Sequence, residues 1–497
     1  MTTAADDPSG EGADHEAGLT RSDVADRASR GAMLISVLGF TGLAVGFLGS
    51  LALARFLTPT EFGVLAVGQT ILLFSAAVGE AGLGVAMVRW QTAPTRRQLQ
   101  ELSGLQLWTT LLVAGAVALV ALQFGRIGSV TALMIASLPL VALQTPGRIQ
   151  FERSLRYGPI TVADGAGLIA FYAWAIGLVA LDAGVWGVAS APLVRGAVGT
   201  AVIAVSAPGG LVRPVFVDPR SLWPLISFGL RFQGNWVAIL ARDLVINAIT
   251  GSLLGVARLG IWSLARRLLE APQVFSNSLW RVTFPAMSRL IAGGGAHDPF
   301  VRRSSRFASA VFAMPLSAFA GLAPAAIPTL FGEEWSGVGE ILPLAAAALL
   351  ISTSTNSGPP GGYLMAIGRP QDTLVAVLAQ AAVWIGVTAV LLRPVGVVAI
   401  GIGWVAGACV EAAVIERAVR RACGVSVGAC VLAPVVAGLA GIGIGVVVDS
   451  RLGAGLTTSL VAGGAGVATT GTLLILLARA TVMDVLQVIR HRLLRRT

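Results

Sequence analysis

Apolar stretches of about 20 residues recur from one end of the chain to the other, and each is long enough to cross a ~30 Å hydrocarbon core as a helix. Backbone groups that lie in lipid must find their partners within the protein, so only helices or a closed barrel can span a bilayer. The stretches show no alternation of apolar and polar residues with a period of two, which excludes the barrel. The sequence therefore predicts an all-α polytopic membrane protein.

The charge content favours the same fold class. Of the 497 residues, 55% are hydrophobic and only 12% are charged, against about 25% charged in an ordinary soluble domain. All 35 basic residues are arginine, which excludes a phosphate-binding-loop lysine and a Schiff-base lysine. We assign the net charge of +10 to arginines that flank membrane spans rather than to nucleic-acid binding.

The hydropathy predicts fourteen spans with short connections. They are residues 32–54, 62–88, 102–124, 129–146, 161–181, 185–206, 225–250, 259–280, 307–328, 340–364, 373–392, 395–415, 427–448 and 456–478. With the N-terminus inside, the inner segments hold 25 arginines and the outer loops hold five. Because cytoplasmic loops carry an excess of arginine, both termini are predicted to be cytoplasmic.

Two stretches about two hundred residues apart resemble each other. They are "ARFLTPTEFGVLAVGQ" (Ala54–Gln69) and "GSLLGVARLGIWSLA" (Gly251–Ala265). Pairing Leu57 with Leu254 places Phe62-Gly63-Val64 on Leu259-Gly260-Ile261. The two turns follow spans 1 and 7, an even number of spans apart, so the copies share their orientation. This pattern is typical of parallel repeats related by an axis along the membrane normal.

The first of these stretches also resembles a family signature. The pattern is an Ala-Arg-x-Leu-x-Pro-x-x-Phe-Gly turn, then a helix that ends near Gly-Leu-Gly, and it is matched by Ala54, Arg55, Leu57, Pro59, Phe62, Gly63, Gly82, Leu83 and Gly84. Further matches are "FPAMSRL" (Phe284–Leu290), "LFGEEW" (Leu330–Trp335) and "LMAIGRP" (Leu364–Pro370), and the matches cover most of residues 30–370. The chain thus resembles the polysaccharide transporters, the oligosaccharide flippases of the multidrug/oligosaccharidyl-lipid/polysaccharide exporter superfamily.

The resemblance implies a domain organisation. It implies two six-helix lobes that face a central cavity, followed by two further spans. We therefore expect a disordered acidic cytoplasmic tail (1–30), an N-terminal lobe (31–213), a C-terminal lobe (214–421), spans 13 and 14 (422–480) and a basic amphipathic cytoplasmic tail (481–497).

The resemblance also implies a function. The protein would carry a polyprenyl-pyrophosphate-linked oligosaccharide, of the undecaprenyl type, from the inner to the outer leaflet of the cytoplasmic membrane by alternating access. Membrane lipids, a polymerase and other polysaccharide-assembly proteins are the partners it implies, and nucleic acid is not among them. Neither a cofactor nor a metal is expected.

Polar residues within the spans are the candidates for a cavity. In span 8, Ser263, Arg266, Glu270, Gln273 and Asn277 follow spacings of three and four residues and so share one helical face. An ionisable side chain that faces lipid near the bilayer centre costs at least ~2.5 kcal/mol. The stripe is therefore expected to face protein or water, either as a substrate-facing wall or as an internal Arg266–Glu270 pair.

Arginines in spans 6 and 7 are further candidates. Span 7 carries Arg231, Asn235 and Arg242, and span 6 carries Arg195. Arg231 and Arg242 share a face, about 16 Å apart along the helix axis. An arginine suits a pyrophosphate because its planar guanidinium donates two hydrogen bonds to phosphate oxygens and stays charged.

Three isolated acids lie at membrane depth: Glu80, Asp164 and Glu411. Each is a candidate counter-ion for the arginines or a protonatable coupling site. The polar run "STSTNSGPPGG" (Ser352–Gly362) interrupts span 10 and is either a hinge or an unwound turn packed in protein.

Two other function classes are alternatives to the flippase. A drug or cation antiporter of the same superfamily needs an acidic, cation-attracting cavity, whereas the central spans here are basic. A membrane-embedded glycosyltransferase needs an acidic pair or a base at a loop, and the loops contain no Asp-x-Asp and no histidine cluster. No catalytic residue is therefore predicted, and the chain is not expected to be an enzyme.

Overall fold

The structure is a computed structural model that describes residues 39, 41–42, 44–80, 82–88, 94–207, 209–215, 223–270, 272–273, 287–288, 290–291, 298–453 and 455–478. Every regular element in these ranges is helical, as the apolar periodicity predicts. The two predicted tails, 1–30 and 481–497, lie outside the described residues.

The chain divides into two compact units. The first comprises the residues up to Leu57 together with Val64–Leu240, and the second comprises Thr58–Gly63 together with Ala241 onwards. The helices up to the change of unit are α1 (Ala44–Phe56), α2 (Pro59–Glu80), α3 (Leu83–Val88), α4 (Arg96–Ala121), α5 (Gly125–Ile135), α6 (Leu138–Ala142), α7 (Thr145–Arg153), α8 (Tyr157–Ala180), α9 (Val185–Ser206) and α10 (Trp223–Leu254). Helix α10 contains the change of unit, between Leu240 and Ala241.

The remaining helices belong to the second unit. They are α11 (Val256–Leu268), α12 (Asp298–Phe331), α13 (Ser336–Ser354), α14 (Pro359–Ala366), α15 (Pro370–Val395), α16 (Val398–Cys423), α17 (Val427–Leu452) and α18 (Leu456–Leu477). Helix α12 packs along α13, α17 and α18, while α16 packs along α13 and α15.

Each predicted span coincides with at least one described helix. Among the described residues, eleven segments are long and apolar enough to cross a membrane, and one of them, Arg96–Ala142, covers span 3 and most of span 4. Spans 1 and 8 correspond to the shorter described helices α1 and α11. The predicted boundaries are therefore accurate to a few residues in most spans.

The turn that opens α2 belongs to the second unit. The ring of Phe62 packs edge-on against Trp335, with 5.1 Å between the ring centroids, and both side chains are buried. Phe62 belongs to the Pro-x-x-Phe-Gly turn and Trp335 to the "LFGEEW" segment. Two segments that the sequence comparison picked out separately thus contact each other in space.

The two C-terminal helices pack on α12 through glycines. The Cα of Gly321 on α12 lies 2.8 Å from where a Cβ on Gly445 of α17 would sit. A Cβ on Gly463 of α18 would lie 3.1 Å from the carbonyl oxygen of Ala318. Small residues let helix backbones approach closely in a membrane, where dispersion contacts replace the hydrophobic effect between helices.

The predicted interruption of span 10 is present between α13 and α14. Helix α13 ends at Ser354, and Pro359 and Pro360 occupy the first turn of α14, where a missing backbone N–H costs nothing. Most of the side chains around the break are buried. The break is therefore an unwound turn packed in protein.

Candidate functional site

Two arginines and one aspartate form the centre of a polar site in the second unit. Arg242 donates from Nε and Nη2 to Oδ1 of Asp243, at 3.1 and 2.9 Å. Arg266 on α11 donates from Nη2 to the other oxygen, Oδ2. A carboxylate has enough lone pairs for both guanidinium groups. The single aspartate therefore holds the two cations side by side.

The guanidinium group of Arg242 is held by contacts with Asp243, Gln380 and Trp384. Its Nη1 donates to Oε1 of Gln380 at 2.7 Å, and its guanidinium carbon lies 4.6 Å from the centre of a Trp384 ring. Gln380 and Trp384 are one turn apart on α15, so the same helix supplies an acceptor and an aromatic face. The Arg242 side chain is only 11% exposed. Each guanidinium nitrogen of Arg242 therefore already donates one hydrogen bond within the protein, and Arg242 acts as a structural cation.

Arg266 is the accessible member of the pair. Its side chain is 41% exposed, and Asp243 binds one of its terminal nitrogens. A guanidinium has five N–H donors in a planar fork, so donors remain for an anion that approaches from the exposed side. Arg266 can bind a phosphate group while Asp243 and Arg242 fix the position of the Arg266 side chain.

Three tryptophans hold the surrounding helices together. The rings of Trp384 and Trp404 are stacked with centroids 4.8 Å apart, and Trp262 packs edge-on against both. Trp384 also donates from Nε1 to the carbonyl oxygen of Ile400 at 3.0 Å. These contacts join α11, α15 and α16, and they position the ring that lies against Arg242.

The stripe predicted on span 8 is the less buried face of α11 and the residues that follow it. Glu270 is exposed, and Ser263, Arg266 and Gln273 are half-buried. Leu264, Ala265, Leu268 and Leu269 on the other face are buried. Asn277 lies outside the described residues. Arg266 pairs with Asp243 of α10, so its ion pair is made between helices and not with Glu270, four residues along its own chain.

Glu411 lies at the centre of a second cluster that continues from the first. Its carboxylate accepts from Ser352 Oγ at 2.7 Å, from Asn356 Nδ2 at 2.8 Å and from Gln380 Nε2 at 3.0 Å. Gln380 is thus the bridge, because its carbonyl oxygen accepts from Arg242 while its amide donates to Glu411. Ser352 precedes the helix break and Asn356 lies within it, so Glu411 binds α13 and the unwound turn at once.

Asp164 pairs with an arginine that was not among the candidates. It binds Arg148 of α7, whose Nε and Nη2 also donate to Oε1 of Gln144 at 3.2 and 3.0 Å. Glu80 and Glu152 lie close enough to Arg148 to act on it electrostatically. The first unit therefore contains three carboxylates around one guanidinium.

Three other candidates, Arg195, Arg231 and Asn235, belong to the first unit. Arg195 is exposed on α9 in the first unit, with its Cγ against Gly167 of α8. Arg231 lies in α10, but its side chain is outside those described. Asn235 lies two turns before Arg242 on the same face of α10, and its Oδ1 is buried without a hydrogen-bond partner among the described residues.

Gln380, Ser352, Asn356 and Trp384 were not predicted as site residues. The signals for them were weak: a single amide in an apolar span, a tryptophan one turn later and a polar run at a helix break. Within the described part of the chain, no group of three or more metal-ligating side chains is present.

Comparisons with known proteins agree on the family and the fold. The model of a family described as polysaccharide biosynthesis protein matches residues 52–340. The chain is similar to the succinoglycan biosynthesis transport protein ExoT of Rhizobium meliloti (strain 1021), with 27% identity over 67% of this chain and 68% of that protein. It is also similar to the amylovoran biosynthesis protein AmsL of Erwinia amylovora, with 26% identity over 35% of this chain and 47% of that protein.

Solved structures resemble the fold at low sequence identity. The lipid II flippase MurJ, in an inward closed conformation, superposes with a TM-score of 0.72 over 90% of this chain and the whole of that chain, at 10% identity. The MATE multidrug transporter DinF-BH superposes with a TM-score of 0.54 over 81% of this chain and 97% of that one, at 13% identity. The predicted two-lobe helical fold is that of these neighbours.

Proposed function

Because the chain belongs to the polysaccharide biosynthesis protein family, we propose that it is a flippase that moves a lipid-linked oligosaccharide across the membrane for the synthesis of a cell-surface polysaccharide. The family match covers more than half of the chain. The roles of ExoT in succinoglycan transport and of AmsL in amylovoran biosynthesis support a polysaccharide role. The likeness to the MurJ fold supports a scaffold suited to a lipid cargo.

The observation that carries the substrate chemistry is the exposed Arg266 beside the buried Arg242–Asp243 pair. A cation held at a fixed position in a membrane-embedded unit suits the pyrophosphate of a polyprenyl carrier, for which we propose the undecaprenyl type. Arg266 contacts the phosphate in this proposal, and Arg242 and Asp243 hold it in place. Arg195, Arg231, Asn235, Glu270, Gln273 and Asn277 remain proposed lining residues.

The topology completes the proposal. The cargo moves from the inner to the outer leaflet of the cytoplasmic membrane as lobes 31–213 and 214–421 alternate in access, with both termini cytoplasmic. The arginine distribution supports this orientation. The protein makes and breaks no bond in this scheme, and a polymerase that uses the cargo outside is its proposed partner.

A drug or cation antiporter is the second candidate. The observation in its favour is the acid-rich group of Glu80, Glu152 and Asp164 around Arg148 in the first unit. The exposed group of the second-unit site is a cation, Arg266, which favours an anionic cargo. A membrane-embedded glycosyltransferase has no comparable observation in its favour.

The test is a strain depleted of the protein and complemented with variants. Polyprenyl-pyrophosphate glycans are extracted and measured by mass spectrometry, together with the surface polymer. Depletion is expected to accumulate one lipid-linked oligosaccharide while its polymer disappears. The wild type and Arg258→Gln, an exposed arginine on the same helix, restore the polymer, whereas Arg266→Gln does not. Unchanged lipid intermediates after depletion would rule out the flippase and make drug efflux the next measurement.

A further inference from the structure

Four charges of the second unit form one hydrogen-bonded chain. It runs from Arg266 to Asp243, from Asp243 to Arg242, from Arg242 to Gln380 and from Gln380 to Glu411. The two guanidinium groups balance the two carboxylates when both acids are ionised. Asp243 and Glu411 are 4% and 3% exposed, so water screens these charges little. An additional charge at Arg266 therefore changes the electrostatic potential at each side chain of this hydrogen-bonded series, including Glu411.

Of the two acids, Glu411 is the one that can accept a proton at the smaller cost. Asp243 accepts three N–H bonds from two arginines, and its protonation would remove the acceptors of both cations. The partners of Glu411 are uncharged: Ser352, Asn356 and Gln380. The hydroxyl of Ser352, 2.7 Å away, can both donate and accept, so it can receive a hydrogen bond from a protonated Glu411.

The surroundings of Glu411 leave Arg242 as the charge that acts on it. Helices α13 and α15 and the helix break face it with the three uncharged donors, and Arg242 of α10 acts through Gln380. Helices α14 and α17 also pack on α16, and among the described residues neither brings a charged group within hydrogen-bond distance of Glu411. Glu416, the next acid on α16, is bound by Ser426 and the Gly428 amide.

We propose that Glu411 takes up a proton from the aqueous phase when an anionic phosphate group binds at Arg266. The incoming anion adds negative charge to a balanced group, and protonation of Glu411 restores the balance without breaking the Asp243–arginine contacts. Binding of the anion and of the proton then favour each other by linkage. The inference rests on the proposed function, because it assumes a phosphate at Arg266, and it adds a proton-coupled step to that function.

The experiment counts protons during binding. The full-length protein in lipid nanodiscs is titrated with a sugar-free polyprenyl pyrophosphate by calorimetry, in two buffers of equal pH and different ionisation enthalpy. The wild type is expected to take up a fraction of a proton that approaches about one per probe bound. Glu411→Gln, which keeps the shape and removes the titrating group, binds the probe without this uptake. Glu340→Gln, an exposed glutamate on α13, serves as the matched control and behaves as the wild type.

A second measurement follows the affinity for the probe as a function of pH. The affinity of the wild type for the probe should strengthen as the pH falls, by up to about tenfold per pH unit between the two pKa values of the linked group. The probe's own protonation is common to all samples. The difference in pH dependence between the wild type and Glu411→Gln therefore reports the proton bound by Glu411.

The outcomes separate the inference from the proposed function. If the probe binds through Arg266 and the heats do not depend on the buffer, or the uptake is unchanged in Glu411→Gln, the inference is overturned and the flippase proposal is untouched. If the wild type does not bind the probe, or Arg266→Gln binds it equally well, the phosphate site itself is wrong and the inference is lost with it.

Discussion

Gly63 and Gly260 each lie against the backbone of the turn that carries the other. A Cβ on Gly63 would lie 1.9 Å from the carbonyl oxygen of Val256, and a Cβ on Gly260 would lie 1.8 Å from that of Pro59. The pairing of the two repeats places Gly63 on Gly260 and Pro59 on Val256. The contact is thus reciprocal, and each copy of the repeat uses the same two positions to approach the other.

Substitution of either glycine is expected to destabilise the protein. In Gly63→Ala and in Gly260→Ala the new methyl group meets a carbonyl oxygen, which cannot rotate away as a side chain can, at a cost of about 1–3 kcal/mol. This exceeds the helix-propensity gain of up to about 1 kcal/mol. The measurement is the midpoint of thermal unfolding in detergent, with Gly386→Ala on α15 as the control, since nothing lies within 4 Å of that site. Equal midpoints for all three variants would contradict the close approach.

Loss of the shared aspartate should destabilise the second unit. Asp243→Asn leaves two neighbouring guanidinium groups without their anion, and breaking a buried ion pair costs about 3–5 kcal/mol. Asp164→Asn is the control because its carboxylate is 53% exposed, and such a pair contributes about 0–1 kcal/mol. The unfolding midpoint of each variant is compared with the wild type.

A second substitution, Arg242→Met, should offset part of the destabilisation caused by Asp243→Asn. Combining Asp243→Asn with Arg242→Met removes the buried cation that lost its acceptor and should recover part of the midpoint. A double variant as unstable as the sum of the two single variants would show that Arg242 does not depend on Asp243.

Two glycines on α17 test the close packing of this helix on α12. Gly445→Ala places a methyl group against the Gly321 backbone, whereas Gly443, two residues earlier on α17, has nothing within 4 Å. We expect Gly445→Ala to lower the unfolding midpoint through a cost of about 1–3 kcal/mol and Gly443→Ala to leave it unchanged or slightly raised. A lower midpoint for Gly443→Ala alone would contradict the packing of α17 on α12.

Glu152 should make stability depend on pH. Burial raises the pKa of this carboxyl above its ordinary value of 4.5, Glu80 and Asp164 add to the rise, and Arg148 opposes it. A raised pKa means that the folded state disfavours the carboxylate, so stability is lost as the pH rises from 4.5 through the folded-state pKa. Glu152→Gln is therefore expected to unfold at a higher temperature than the wild type near neutral pH and at the same temperature at about pH 4. A variant less stable than the wild type near neutral pH would contradict this assignment.

Much of the fold could be predicted because its determinants are local. Hydropathy fixes which segments enter a membrane, and helical periodicity identified Ser263, Arg266, Glu270 and Gln273 as one face. The break before Pro359 follows from two consecutive prolines. The short repeat around Gly63 and Gly260 also indicated that the two turns are related, although it did not show that they contact each other.

The site itself was decided by the tertiary structure. Arg242 and Gln380 are 138 residues apart, and Gln380 and Glu411 lie on different helices. Which polar side chains meet depends on how neighbouring helices cross and how far each is rotated, and many sequences with the same periodicity allow different pairs. The sequence by itself therefore determined the helical fold class, the approximate positions of the apolar helices and the polar face of α11. Only the packing of α10, α11, α13, α15 and α16 decided that Asp243 holds two arginines and that Gln380 joins them to Glu411.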